Sequence, residues 1–133
     1  MCCYRDRKFE EKFRKKYAKQ KQLYAWKELT PYGCGRHSEY QYSPGHHKMK
    51  RPVKRYIWNR PKGFHVWWRR PPTVSGYWSL RVIVDPKELI VADEDEGVFQ
   101  SVRITKAAWK NAGLPELSKD RINSVKRRKH EVE

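Results

Sequence analysis

Acidic side chains are in short supply in this chain. Fifteen Asp and Glu stand against 31 Lys and Arg, which gives a formal net charge of +16 over 133 residues. Such an imbalance points to an anionic partner. Cysteine is also scarce: Cys2, Cys3 and Cys34. An odd count with two neighbours at one end makes a poor disulfide framework, so a reducing, cytoplasmic setting is expected. No apolar run approaches the roughly 18 residues that a membrane helix needs, and residues 1–8 lack the apolar centre of a secretory signal. No membrane partner is expected. The sequence contains no Gly-x-x-x-x-Gly-Lys-Ser/Thr, Gly-x-Gly-x-x-Gly, Gly-x-Ser-x-Gly or His-Glu-x-x-His. ATP hydrolysis, dinucleotide binding, serine hydrolysis and zincin chemistry therefore lose their usual support. The Gly- and Phe-rich RNA-binding signature is missing too.

Aromatic residues, by contrast, are plentiful: six Trp, eight Tyr and four Phe. A hydrophobic content of 38% and a mean hydropathy of −1.06 would by themselves permit disorder. The aromatic supply argues for a small folded domain with basic ends. The 16.1 kDa mass suits one domain. The boundaries expected are a basic domain over residues 1–114 and a basic C-terminal helix or flexible tail over 115–133.

The excess charge is concentrated in the first two-thirds of the chain. Between residues 29 and 84 there are eleven Lys or Arg and a single acid, Glu39. Ten aromatics are interleaved with them. Cations neutralise phosphates, while aromatic faces stack on exposed bases. About half of these aromatics are expected in the core, because a small domain needs large side chains.

Residues 5–21 read as a helix with a stripe of Phe9, Phe13 and Tyr17, and with Glu10/Arg14 and Glu11/Lys15 as favourable pairs at i,i+4. Docking of the aromatic face and contact of the basic face with phosphates are compatible readings, since they use opposite sides. Residues 22–29 favour a strand, with Tyr24 and Trp26 at alternating spacing. Residues 30–52 read as a long loop with a short strand at 39–42. Residues 53–58 alternate without a clear phase, and 64–69 read as a short strand. The clearest strand is 77–84, with Trp78, Leu80, Val82 and Val84 on one face and Ser79, Arg81 and Ile83 on the other. Strands at 88–91 and 98–104 flank an acidic tip at 93–97, which is read as a solvated hairpin turn. Thr105 is expected to cap a short helix that stops at Gly113.

Three constellations bear on chemistry. Cys34, His37, His46 and His47 are zinc-type ligands in one stretch, but no second paired-ligand knuckle accompanies them, so no metal or other cofactor is assigned. His65, in Gly63-Phe64-His65, is the one candidate for acid–base work. A half-buried strand histidine is the preferred reading, because no carboxylate or nucleophile stands at a recognisable spacing. The acidic run 93–96 lacks the spaced ligands of a calcium loop.

Residues 23–110 resemble a group of small, uncharacterised bacterial and phage proteins. The resemblance lies in an aromatic first strand (Leu23-Tyr24-Ala25-Trp26-Lys27), a loop with a Tyr and a Gly, the central Gly63-Phe64-His65, and a Val-rich strand and hairpin from Leu80 to Ile104. The Val66-Trp67-Trp68-Arg69-Arg70 that follows here departs from the small or polar residues usual in that group. The resemblance implies an α+β fold and supplies no function.

The fold expected is α+β: a small, mostly antiparallel sheet of four to six short strands with a basic N-terminal helix and a short helix near Trp109. The function expected is binding of nucleic acid, DNA or RNA, or of a nucleoprotein, as an accessory factor of a phage or mobile element or as a component of a ribonucleoprotein. Arg36, Lys48, Lys50, Arg51, Lys54, Arg55, Arg60, Arg69 and Arg70 would contact phosphates. Tyr56, Trp58, Trp67 or Trp68 would offer stacking faces. Two alternatives stand beside it. One is a small enzyme acting on a nucleotide or nucleic acid, with His65 and one of Glu39, Tyr40 or Arg69 in its site. The other is an interaction module that docks on an acidic protein surface.

Overall fold

A computed structural model describes residues 5–35, 40–49, 63–71 and 77–117. Helix α1 (Arg7–Lys16) begins where the Asp6 carboxylate accepts the Phe9 N–H at 3.0 Å. It ends at Tyr17, whose N–H closes on the Phe13 carbonyl. The helix is shorter than 5–21 because 18–22 (Ala-Lys-Gln-Lys-Gln) offers no apolar anchor beyond Tyr17. Seven strands follow: β1 (Leu23–Leu29), β2 (Gly45–Lys48), β3 (Phe64–Trp67), β4 (Trp78–Val84), β5 (Leu89–Ala92), β6 (Glu96–Phe99) and β7 (Ser101–Ile104). Helix α2 (Lys106–Asn111) comes last.

The strands form one sheet in the order β2-β7-β4-β1-β3-β6-β5, with every pairing antiparallel. That order forces the sheet to curl. Laid flat, β6 and β7 would lie four strand spacings apart, about 19 Å. Gln100 alone connects them, and two residue steps reach only about 7 Å. The sheet therefore wraps into a half-closed barrel, with Gln100 as its bend. Both sides of the bend are held, by Gln100 N–H to Glu88 O and by Met49 N–H to Gln100 O.

The inner face carries the core. Ala25 and Leu29 of β1, Phe64 and Val66 of β3, Leu80, Val82 and Val84 of β4, Phe99 of β6, and Val102 and Ile104 of β7 are all buried. Each such large side chain contributes about 1.5–3 kcal/mol relative to exposure. Helix α1 packs on β5 and covers one side of this core with Phe13. Both ends of the helix are stitched down: Asp6 N–H donates to Ala92 O at the start, and the Arg14 guanidinium in the last turn donates to Leu89 O. Buried Glu10 takes the Ala92 N–H and pairs with Arg5 at 3.3 Å and Arg14 at 3.5 Å. Helix α2 packs against β4 and inserts Trp109 on the other side. The indole meets Gly33, where a Cβ would stand 2.5 Å from the ring and the backbone φ is +83°. Both constraints require glycine there.

The Thr105 hydroxyl accepts the Ala108 N–H at 3.0 Å and starts α2, as the sequence predicts. Thr105→Ala is expected to lower stability by about 1 kcal/mol in urea denaturation, with no change in m-value.

The α+β class is thus the observed one; among the described residues there is one N-terminal helix and one helix near Trp109, and the sheet has seven strands where four to six were expected. Two features account for the difference. The segment 98–104 breaks at Gln100 and serves both ends of the curl. Gly45–Lys48, expected as loop, pairs with β7 as an edge strand. The acidic turn is also tighter than 93–97, since Glu96 and Gly97 already belong to β6. Residues 53–58 lie outside the described residues, as does 118–133 of the expected tail.

Candidate nucleic-acid interface

Strand alternation fixes which side chains share the outer face. On β1, Ala25, Lys27 and Leu29 point inward, so Tyr24, Trp26 and Glu28 point outward. Register then carries the outer face across the sheet. Trp26 lies opposite Arg81 of β4 and opposite Trp67 of β3, and Trp67 lies opposite Glu96 of β6. Tyr24 lies opposite Ile83, Ile83 opposite Arg103 of β7, and Arg103 opposite His46 of β2.

This face joins aromatic rings to cations. The Arg81 guanidinium stands 4.4 Å from the centre of the Tyr24 ring and 5.9 Å from that of Trp26. The Arg70 guanidinium stands 5.4 Å from the Trp26 ring. Tyr24 is 55% exposed, while Trp26 and Trp67 are half-buried. Arg70, Arg81, Arg103, His46 and Lys48 are exposed. Guanidinium planes over electron-rich rings are held by cation–π attraction. The same planes can stack on bases or pair with phosphates.

Comparison with family models, curated proteins and solved structures returned no match for this chain. Function therefore has to be read from the site itself.

Of the residues expected in the site, Trp67 and Arg70 fall on this face and Lys48 on its β2 margin. Arg69 is exposed just beyond β3. Trp68 is placed elsewhere. Its indole packs against Phe9, Phe13 and Phe99, and its Nε1–H donates to Asp93 O at 2.8 Å. The offered stacking face is thus a core contact, which corrects its assignment to the interface. Arg36, Lys50, Arg51, Lys54, Arg55, Tyr56, Trp58 and Arg60 lie outside the described residues.

Tyr24, Trp26 and Arg103 were not among the residues expected at the site. The signal for the first two was present, because Tyr24 and Trp26 alternate with Ala25, Lys27 and Leu29. Lys27 in the inward phase concealed it. Its ammonium is buried, donates to His65 O at 2.7 Å, and lies 4.8 Å from the centre of the Tyr42 ring. A carbonyl and a ring face thus stand in for water around the charge.

His65 and Tyr40 are not brought together. Phe64 and Val66 face the core, so His65 faces outward from the same strand, opposite Val98. Tyr40 packs with Tyr42, His47 and Phe64 on the inner side. Burial pushes the Tyr40 phenol up to about 12. Burial, and then Tyr40 itself, push Tyr42 well above the ordinary tyrosine value. Both phenols are accordingly protonated at neutral pH. The His47 ring is held from two sides. Its Nδ1 lies 2.7 Å from the Tyr40 hydroxyl, and its Nε2 lies 2.7 Å from Ser43 O and 3.3 Å from Ser43 N.

The suggested metal ligands diverge. Cys34 Sγ donates to Gln41 Oε1, His47 is inside, and His46 is on the outer face. His37 and Glu39 lie outside the described residues. Among the described residues, no group of three or more His, Cys, Asp or Glu is placed to hold a metal ion. Nor is any helix among them long and apolar enough to cross a membrane.

Proposed function

We propose that the protein binds nucleic acid through the outer face of the curled sheet. The observation that carries this reading is the pair of guanidiniums, Arg81 and Arg70, ranged over Tyr24 and Trp26 on a solvent-facing sheet surface. One surface supplies both things a nucleic acid offers to bind, namely negative phosphate and flat π faces. The net charge of +16 adds a long-range attraction that brings the polyanion to it.

The test is binding of nuclease-treated protein to labelled DNA and RNA over a salt series. Arg70, Arg81, Arg103 and Lys48 are four cations on or beside the face. At about 0.7–0.9 counterions released per neutralised phosphate, the log–log slope is expected to be about −3 or steeper. Absence of binding at about 0.1 M salt would overturn the proposal, because charge-driven contact is still strong there.

A further inference from the structure

The outer face has a direction. Two rows of side chains cross the strands. In one, His46, Arg103, Ile83 and Tyr24 succeed one another from β2 to β1. In the other, Arg81, Trp26, Trp67 and Glu96 succeed one another from β4 to β6. Each row carries a guanidinium on the β7-β4 side, Arg103 in the first and Arg81 in the second. Aromatic rings occupy β1 and β3. The second row ends at Glu96, next to the acidic turn of Asp93, Glu94 and Asp95. A phosphate backbone is attracted to the first side and repelled from the last.

The spacing of the rows selects between strand states. Outward residues two apart on a strand are separated by about 7 Å. Bases stacked in a duplex rise by only about 3.4 Å per step. Neighbouring bases can occupy Tyr24 in one row and Trp26 or Trp67 in the other only when they are unstacked from each other. A duplex also keeps its base faces inside, and its major groove admits a helix or a two-stranded ribbon, not the broad outside of a curled sheet. Aromatic rings in this position would be idle against it.

From this arrangement we infer that the ligand is a single strand, laid with its phosphates over β4, β7 and β2 and its bases over β1 and β3. This rests on the nucleic-acid reading above and narrows it. Tyr24, more exposed and with Arg81 over its ring, is the stacking platform, and Trp26 is the ring shared by two guanidiniums. Arg81 bridges base and backbone, and Arg103 with Lys48 holds the backbone alone. A π face and a phosphate are common to DNA and RNA, so single strands of both sugars bind.

The experiment is fluorescence anisotropy of the full chain with labelled oligothymidylate, labelled oligouridylate and a mixed-sequence duplex of equal length, with Trp emission read in parallel. Both single strands are expected to bind at least tenfold more tightly than the duplex and to quench Trp emission. Tyr24→Ala is expected to weaken single-strand binding about tenfold, and Tyr24→Phe to stay within twofold of wild type. Arg103→Gln is expected to make the salt slope shallower by about one phosphate's worth and to leave the quenching amplitude at saturation unchanged. Circular dichroism checks that the variants are folded. If Tyr24→Ala does not fold, the single-strand to duplex ratio and Arg103→Gln decide the matter. A duplex bound as tightly as the single strands, or a folded Tyr24→Ala with wild-type affinity, would remove this inference and leave nucleic-acid binding standing. Failure of all three probes to bind would remove both.

Discussion

Trp68→Ala is expected to destabilise the protein by about 3–5 kcal/mol while leaving the salt slope of nucleic-acid binding unchanged. The side chain joins three elements. Its ring stacks on Phe13 of α1 with centroids 5.0 Å apart, lies 6.0 Å from Phe9, and meets Phe99 of β6 edge-on at 5.9 Å. Its Nε1–H satisfies Asp93 O at the acidic turn. Gly97 has no side chain for the same reason, since a Cβ there would collide with the Trp68 ring. Truncation would remove the surface on which the α1 aromatics sit and leave a cavity that the adjoining strands cannot close. The Asp93 carbonyl would also lose its donor. Denaturant unfolding of the variant measures the loss, and hydrogen exchange should show the α1 amides opening first. Trp67→Ala is the control: a half-buried ring on the opposite face, expected to cost less stability and to weaken nucleic-acid binding. A Trp68→Ala protein as stable as wild type would refute the core placement.

The contrast between these adjacent tryptophans shows what could and could not be read from the chain. Elements with strong local signals were legible. The stripe of Phe9, Phe13 and Tyr17, the alternation of 78–84 and the Thr105 cap each specify their structure within a few residues, because side-chain period and backbone geometry are locked together. The bend at Gln100 was not legible. Nothing in Val98-Phe99-Gln100-Ser101-Val102 marks a break, and only pairing with β3 on one side and β2 and β4 on the other makes one. Edge strand β2 was hidden for a similar reason. Gly45-His46-His47-Lys48 has little strand character of its own and owes its conformation to the β7 ladder.

A basic and aromatic surface was legible as a class and less so in its members. Basic and aromatic residues do meet on one surface, as their interleaving in sequence suggested. Which aromatics face outward depends on strand phase, and in β1 the phase is inverted relative to simple hydrophobicity. Trp26 and Tyr24 face out while Lys27 faces in. A lysine can take an inward position when a carbonyl and a ring receive its ammonium, and those partners come from β3 and from Tyr42, distant in sequence. Arg81 and Arg103 could be joined to Tyr24 and Trp26 only once the strand order was known, since β4 separates β7 from β1.

Glu96→Gln is expected to stabilise the protein by about 2 kcal/mol above pH 7 and to have little effect below pH 4.5. Glu96 is 5% exposed on β6, opposite Trp67. Burial chiefly, with the nearby Asp93 carboxylate and then Asp95 and Glu28, pushes its carboxyl from 4.5 up to about 7. The acidic turn cannot relax easily, because one Asp93 oxygen already accepts the Asp95 and Glu96 N–H groups at 2.8 Å each. The sign follows from proton binding. Between about pH 4.5 and pH 7 the folded chain keeps a proton that the unfolded chain has released, so this group's contribution falls as pH rises through that window. Below it both states are protonated and the penalty vanishes. Above it the folded state carries a buried charge beside three others of the same sign, in full. Glutamine keeps the size and removes the charge. The difference in unfolding free energy between Glu96→Gln and wild type should therefore grow from pH 5 to pH 8, and a difference that stayed flat across that range would sink the assignment. Wild type retains a side chain that weakens its own fold at neutral pH. On the outer face Glu96 stands opposite Trp67, at the end of the aromatic row away from Arg81.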